Sequence, residues 1–159
     1  MPSVNPGPAV TQTLQTIEVQ TPVNTNINPA VQGSNALRLL AVAKGVNLNA
    51  VGDTVLPIIN STAWSPVTVV TANGRVAGVQ ASIATASLGL FTAAASGGSG
   101  IKTQAALAAN SAVGSSIAIA AVAATAALAF TAQSVFVNVG TALANATVDV
   151  YLYGYDQSA

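Results

Sequence analysis

Between Lys102 and Asp149 the chain carries no charged side chain. A run of that length raises two readings first, a membrane span or uncharged strands that bury one face and pair their backbone. Over 111–131 the strong apolar residues are Val113, Ile117, Ile119, Val122, Leu128 and Phe130. As a membrane helix they would contribute only about −2 to −4 kcal/mol, partly cancelled by Gly and Ser, and no Lys or Arg cluster flanks the window. Buried sheet and subunit interface account for the run better than a span does.

The spacing of bulky residues points the same way. Val135, Val137 and Val139 alternate with Phe136 and Asn138, and Val148, Val150 and Leu152 alternate with Asp149, Tyr151, Tyr153 and Tyr155. Such a two-residue period marks half-buried strands. Leu37, Leu39, Ala41 and Ala43 alternate with Arg38, Leu40, Val42 and Lys44, which predicts one apolar face and one face flanked by charge. A short strand is expected over 54–59, at a sheet edge because it contains Pro57. Asn73-Gly74 between two Val-rich runs predicts a two-residue type I′ hairpin, with strands over 67–71 and 76–79 that continue through Ile83. A further strand is expected over 87–94, then a Gly/Ser loop over 96–100. The Ala-rich stretch 103–132 fits two short strands or a helix, and a short helix over 104–109 is compatible with its composition. Short strands punctuated by turns every eight to twelve residues or so predict an all-β chain: an antiparallel β-sandwich or a jelly-roll-like barrel.

Residues 1–36 differ from the rest. Pro2, Pro6, Pro8, Pro22 and Pro29 stand among Thr, Gln and Asn, a density that forbids a helix and favours extended backbone. The expected organisation is an extended N-terminal arm over 1–36 that orders on a neighbouring subunit, with a frayed tail as the alternative reading, and a sandwich body over 37–159. Leu14, Ile17 and Val19, in a Thr- and Gln-rich stretch suited to a strand added to another sheet, are the arm's candidate partner contacts. The start of the chain lacks the basic and apolar segments of a signal peptide.

The chemical inventory is small. There is no His and no Cys; the acids are Glu18, Asp53, Asp149 and Asp156, and the bases are Arg38, Lys44, Arg75 and Lys102. Most groups that shuttle protons, hold transition metals or act as activated nucleophiles are missing, so neither an enzyme nor a cofactor or metal site is expected. Gly100-Ile101-Lys102-Thr103 lacks the contiguous Gly-Lys-Ser/Thr of a phosphate-binding loop. Asp149 and Asp156 stand roughly 23 Å apart along one strand, too far to share a substrate. Charged residues make up 5% of the chain, against about 25% in an ordinary domain. With zero net charge there is no electrostatic footprint for nucleic acid. Weak self-repulsion instead suits a subunit of a large assembly. The row Tyr151, Tyr153, Tyr155 is expected to lie in the core or in a subunit interface rather than to stack sugars or bases.

Three segments carry a resemblance: Ala43-Lys44-Gly45-Val46-Asn47-Leu48-Asn49-Ala50-Val51-Gly52-Asp53-Thr54, Leu88-Gly89-Leu90-Phe91-Thr92-Ala93-Ala94-Ala95-Ser96-Gly97-Gly98 and Ala146-Thr147-Val148-Asp149-Val150-Tyr151-Leu152-Tyr153-Gly154-Tyr155-Asp156. Over about three quarters of its length the chain resembles small structural proteins of tailed bacteriophages. The resemblance implies a virion protein of the head decoration or cement type, a small β-fold on the outer surface of the capsid. Its implied partners are the major capsid protein and further copies of itself, as a homotrimer, with no nucleic acid and no membrane. A head fibre, tail or pilus-like subunit, and a small membrane protein of the holin type, are the competing expectations.

Overall fold

The last strand organises the molecule. Ala146–Asp156 buries Val148, Val150, Leu152 and Asp156 on one side and turns Thr147, Asp149, Tyr151, Tyr153 and Tyr155 to the other. Both of its edges are paired, so it forms the interior of a sheet. The computed structural model describes residues 37–126 and 128–158; the arm over 1–36, with Leu14, Ile17 and Val19, lies outside the described residues.

Nine strands are described: β1 (Leu37–Asn47), β2 (Gly52–Pro57), β3 (Trp64–Val76), β4 (Val79–Gln80), β5 (Ser87–Ala93), β6 (Gly97–Ala106), β7 (Ser116–Ala120), β8 (Ser134–Thr141) and β9 (Ala146–Asp156). A 3-10 turn, Ala108–Ser111, precedes β7, and one turn of helix, α1 (Ala123–Ala126), follows it. Sheet A has the order β1-β9-β3, with β7 and the short β4 sharing the far edge of β3; sheet B has the order β2-β8-β5-β6. All these pairings are antiparallel. Leaving β4 aside, the first strand pairs with the last, the second with the next to last, and so inward to the β5–β6 hairpin. A long hairpin rolled up in this way is the jelly-roll form of the antiparallel sandwich. The expected fold class is what the chain adopts.

The core lies between the sheets. Leu40, Val69, Val148, Val150 and Leu152 come from sheet A, and Leu56, Leu88, Leu90, Ile101, Val135 and Val137 from sheet B, all fully buried. Trp64 closes one end. Its indole is fully buried, Nε1 donates to the Ala132 carbonyl at 2.8 Å, and its ring centroid lies 5.1 Å from that of Phe130. Asn110 seals another gap: its Oδ1 accepts from the Thr71 hydroxyl at 2.8 Å and its backbone carbonyl accepts from Ile83 N.

Several local expectations are corrected. Asn73-Gly74 is not the hairpin turn, because β3 runs through it as a bulge. Asn73 takes a positive φ there and donates from Nδ2 to Asp149 Oδ2 at 2.8 Å, so an acceptor on the neighbouring strand holds it within the sheet. The turn falls at Ala77-Gly78, both at positive φ, and Val76 pairs directly with Val79. Ile83 is buried in the connection after β4 rather than continuing a strand. Gly97–Ala106 is strand β6, so the Gly/Ser run is mostly sheet and the connection is the short turn at Ala95-Ser96. No helix spans 104–109: residues 104–106 end β6 and only the 3-10 turn follows. In β1 a bulge between Leu39 and Ala41 breaks the alternation, so Leu40 and Ala41 both face inward, whereas Leu37 and Leu39 share the outer side with Tyr155 and Tyr153. The expected edge position of Pro57 is observed, since β2 lies at the rim of sheet B.

Trp64 fills the end of the core and uses its only polar atom there. Trp64→Ala is expected to cost about 3–5 kcal/mol, read as a lower urea midpoint at unchanged slope.

Candidate functional site

Because direct partners in an antiparallel pair lie on one face of the sheet, the register of sheet A defines its outer surface. Tyr155 stands between Leu37 and Ser65, Tyr153 between Leu39 and Thr68, and Tyr151 between Val42 and Val70. Beyond β3 the last two rows continue to Ala120 and Ala118 of β7. The three tyrosines therefore lie outside the core, brought together on the open face of sheet A. Leu37 is 53% exposed and Tyr155 36%, while Tyr151 and Tyr153 are half-buried by their neighbours along the sheet. No charged side chain enters these three rows. The outer face of a sandwich sheet is ordinarily polar, so an aromatic and aliphatic face here is suited to being covered.

At one end the face is bordered by Asp149 and by the exposed Arg75, which stands opposite Thr147; the described carboxylates are committed to holding the fold. Asp149 lies one step beyond Tyr151; its Oδ1 accepts from Gly45 N at 2.8 Å and its Oδ2 from Asn73. Burial pushes this carboxyl upward, but the bonds from Asn73 and Gly45 and the Lys44 charge outweigh it and hold the group below the ordinary aspartate range. Burial and the neighbouring Asp149 charge push the Tyr151 phenol up, so it stays a neutral donor at physiological pH. At the far end Asp156, 8% exposed, accepts from Arg38 Nη1 at 2.6 Å, from the Ser61 hydroxyl at 2.7 Å and from Ser158 N at 3.0 Å. Burial raises the Asp156 carboxyl as well, and the bonds from Ser61 and Ser158 together with Arg38 again bring it below the ordinary range. Asp53 is likewise engaged, with Ala95 N and Asn138 Nδ2. Each described carboxylate thus fastens two distant segments.

Lys102 is the unusual cation. It is 3% exposed, its Nζ donates to the Leu88 carbonyl at 2.9 Å and to Thr103 O at 3.3 Å, and burial pushes its pKa below the ordinary lysine value. It lies within a strand, with no phosphate-binding turn around it. Among the described residues there is no pocket and no cluster of three metal-ligating side chains. No helix among them is long and apolar enough to cross a membrane, and the stretch 111–131 includes strand β7, paired along β3.

A second aromatic row escaped the sequence reading. On the outer face of sheet B, Val55 pairs with Phe136 and Phe136 with Phe91. The alternation of Phe136 with Val135 and Val137 was the available signal. An adjacent row is polar, with Asp53, Asn138 and Gln104 in hydrogen-bonding contact. Sheet A therefore presents the longer run of uncharged rows. Comparison with known protein families, with curated proteins and with solved structures finds no match to this chain.

Two expectations follow. The Asp149 and Asp156 carboxyls titrate lower in the folded chain than in the unfolded one, so the stability they supply is complete above the ordinary aspartate value and is lost as pH falls through the folded value. The urea midpoint should drop between neutral pH and about pH 2.5, and Asp156→Asn should show a smaller acid-induced drop. Lys102→Met keeps the stem's volume and removes a desolvated cation, so its urea midpoint at pH 7 should equal or exceed that of the parent.

Proposed function

We propose that this chain is a structural subunit of a tailed-phage virion, a decoration or cement protein that binds the outside of the assembled capsid lattice and stabilises the head. The observation that carries this reading is the run of three uncharged rows on the outer face of sheet A, with Tyr151, Tyr153 and Tyr155 between Leu37, Leu39 and Val42 on one side and Ser65, Thr68 and Val70 on the other. Tyrosines supply large contact area with few rotatable bonds and a phenol that keeps a hydrogen bond at a wet rim. In this reading the face packs against the major capsid protein or another copy of the chain in a trimer, and Leu14, Ile17 and Val19 of the arm add contacts to adjacent subunits.

The mechanism is mass action. A protein that binds the assembled shell and not free coat subunits stabilises the shell by its binding free energy, and repetition over the lattice supplies avidity. No catalytic step is involved. A sandwich whose carboxylates fasten its own segments and whose broad face is neutral suits a rigid patch pressed on a repeating surface.

Light scattering coupled to size exclusion, with and without expanded capsids of the virus that carries the gene, tests the reading. The chain should run as a trimer and co-migrate with shells. The triple variant Tyr151→Ser, Tyr153→Ser, Tyr155→Ser, checked for retained β circular dichroism, should lose shell binding by at least about tenfold, the scale of losing one well-packed aromatic contact. Unchanged binding would remove the sheet A face from the proposal. Absence of co-migration for the parent chain, or labelled protein found on tails or fibres, would overturn the decoration role.

A further inference from the structure

Among the described residues, three of the four sheet edges are blunted and one is open. Along β1 the Leu40 carbonyl already accepts from Ile59 N at 2.7 Å, and Arg38 Nη2 occupies the Ile59 and Asn60 carbonyls. β2 is short, ends on Pro57 and carries Asp53. Along β6 the Ile101 carbonyl accepts from Val122 N, and Gly100 O accepts from the Thr125 hydroxyl. Charge, proline and covering segments are the usual defences of an edge strand. β7 has none of them: Ser116-Ile117-Ala118-Ile119-Ala120 is uncharged and free of proline, and its pairing with β3 is regular.

The register shows what that edge offers. Ala121 N donates to Val67 O and the Thr68 hydroxyl to Ile119 O, so the polar backbone groups of the odd-numbered residues face β3. Those of Ala118 and Ala120 point away from it, without a hydrogen-bond partner among the described residues. Ile117 and Ile119 lie on the core side, opposite the buried Thr71 and Val69, yet both remain half-exposed. Among the described residues the sandwich at this rim lacks one strand's width of cover, both in hydrogen bonds and in apolar contact.

The chain holds a segment of matching character. From Thr11 to Gln20 it is free of proline and rich in Thr, with Ile17 and Val19 two residues apart like Ile117 and Ile119. It is tethered at Leu37, the start of β1. From β1 to β7 is three strand spacings, about 15 Å, whereas the roughly 16 residues between Gln20 and Leu37 reach as far as about 55 Å. A tether of that length holds the segment at roughly millimolar effective concentration. We propose that in the free protein the open edge of β7 takes the chain's own segment 11–20 as an added strand, with Ile17 and Val19 covering Ile117 and Ile119. This concerns the unbound chain and stands independently of the capsid reading.

Amide exchange on the full chain tests it, with Ile17→Pro as the variant that removes a strand-compatible arm without touching the body. Ala118 and Ala120 amides should exchange at least roughly tenfold slower in the parent than in the variant, with no dependence on protein concentration. Because the chain has no cysteine of its own, the pair Glu18→Cys and Ala118→Cys, which this pairing sets opposite each other, should oxidise to a disulfide within one chain. Equal exchange in parent and variant together with no crosslink would overturn the proposal. Crosslinked dimers would assign the edge to the arm of a second copy, and protection that survives Ile17→Pro but falls on dilution would assign it to edge-to-edge pairing of two β7 strands. Either outcome overturns the own-chain occupant.

Discussion

The antiparallel pairing of β9 on both edges is the constraint from which the rest of the structure follows. It bonds to β1, some hundred residues earlier in the chain, and to β3 on its other side. Those two contacts set the order of sheet A and fold the chain back on itself so that β2 must meet β8 and β5 must meet β6. Contacts of such sequence separation are entropically expensive to form, and the end of β9 is accordingly locked. Asp156 gathers Arg38 from β1, Ser61 from the loop after β2 and the backbone of Ser158. One carboxylate thereby holds the beginning and the end of the body together.

That economy extends to the other charges. In a chain with so few ionisable groups, Asp53 joins β2 to the β5–β6 turn and to β8, and Asp149 joins β9 to the β1 bulge and to Asn73. Lys102 goes further, its ammonium capping backbone carbonyls inside the molecule. Carboxylates that in an ordinary domain would solvate the surface are spent here on closing distant contacts. The broad faces are left to Tyr, Thr, Val and Ala. A neutral surface of this kind has little to repel a second surface, which is a property of assembly subunits.

Two features of sheet A belong together. Its outer face sets the tyrosines of β9 between aliphatic residues of β1 and small or hydroxyl side chains of β3, and at its far rim the hydrogen-bonding edge of β7 is unpaired among the described residues. Face packing buries area without fixing direction, whereas an edge fixes register through backbone bonds. A rigid sandwich with both offers one broad uncharged run of rows and one narrow edge of unpaired backbone groups among the described residues.

Much of this architecture is legible in the residues. The alternation in β8 and β9 is strict because one face of each is fully buried, and Pro57 announces an edge because it cannot donate to a ladder. The bulges were not legible. Asn73-Gly74 has the composition of a hairpin turn, and only the presence of Asp149 on the adjacent strand turns it into a bulge and moves the turn to Ala77-Gly78. The same limit applied in β1, where the slip after Leu39 sends Leu37 and Leu39 outward and Leu40 inward. Period-two alternation alone establishes that Tyr151, Tyr153 and Tyr155 share one side of a strand. Which side meets water was decided by the packing of the two sheets: Val148, Val150 and Leu152 have no polar atom to satisfy and fit the space against sheet B, so the phenols face out.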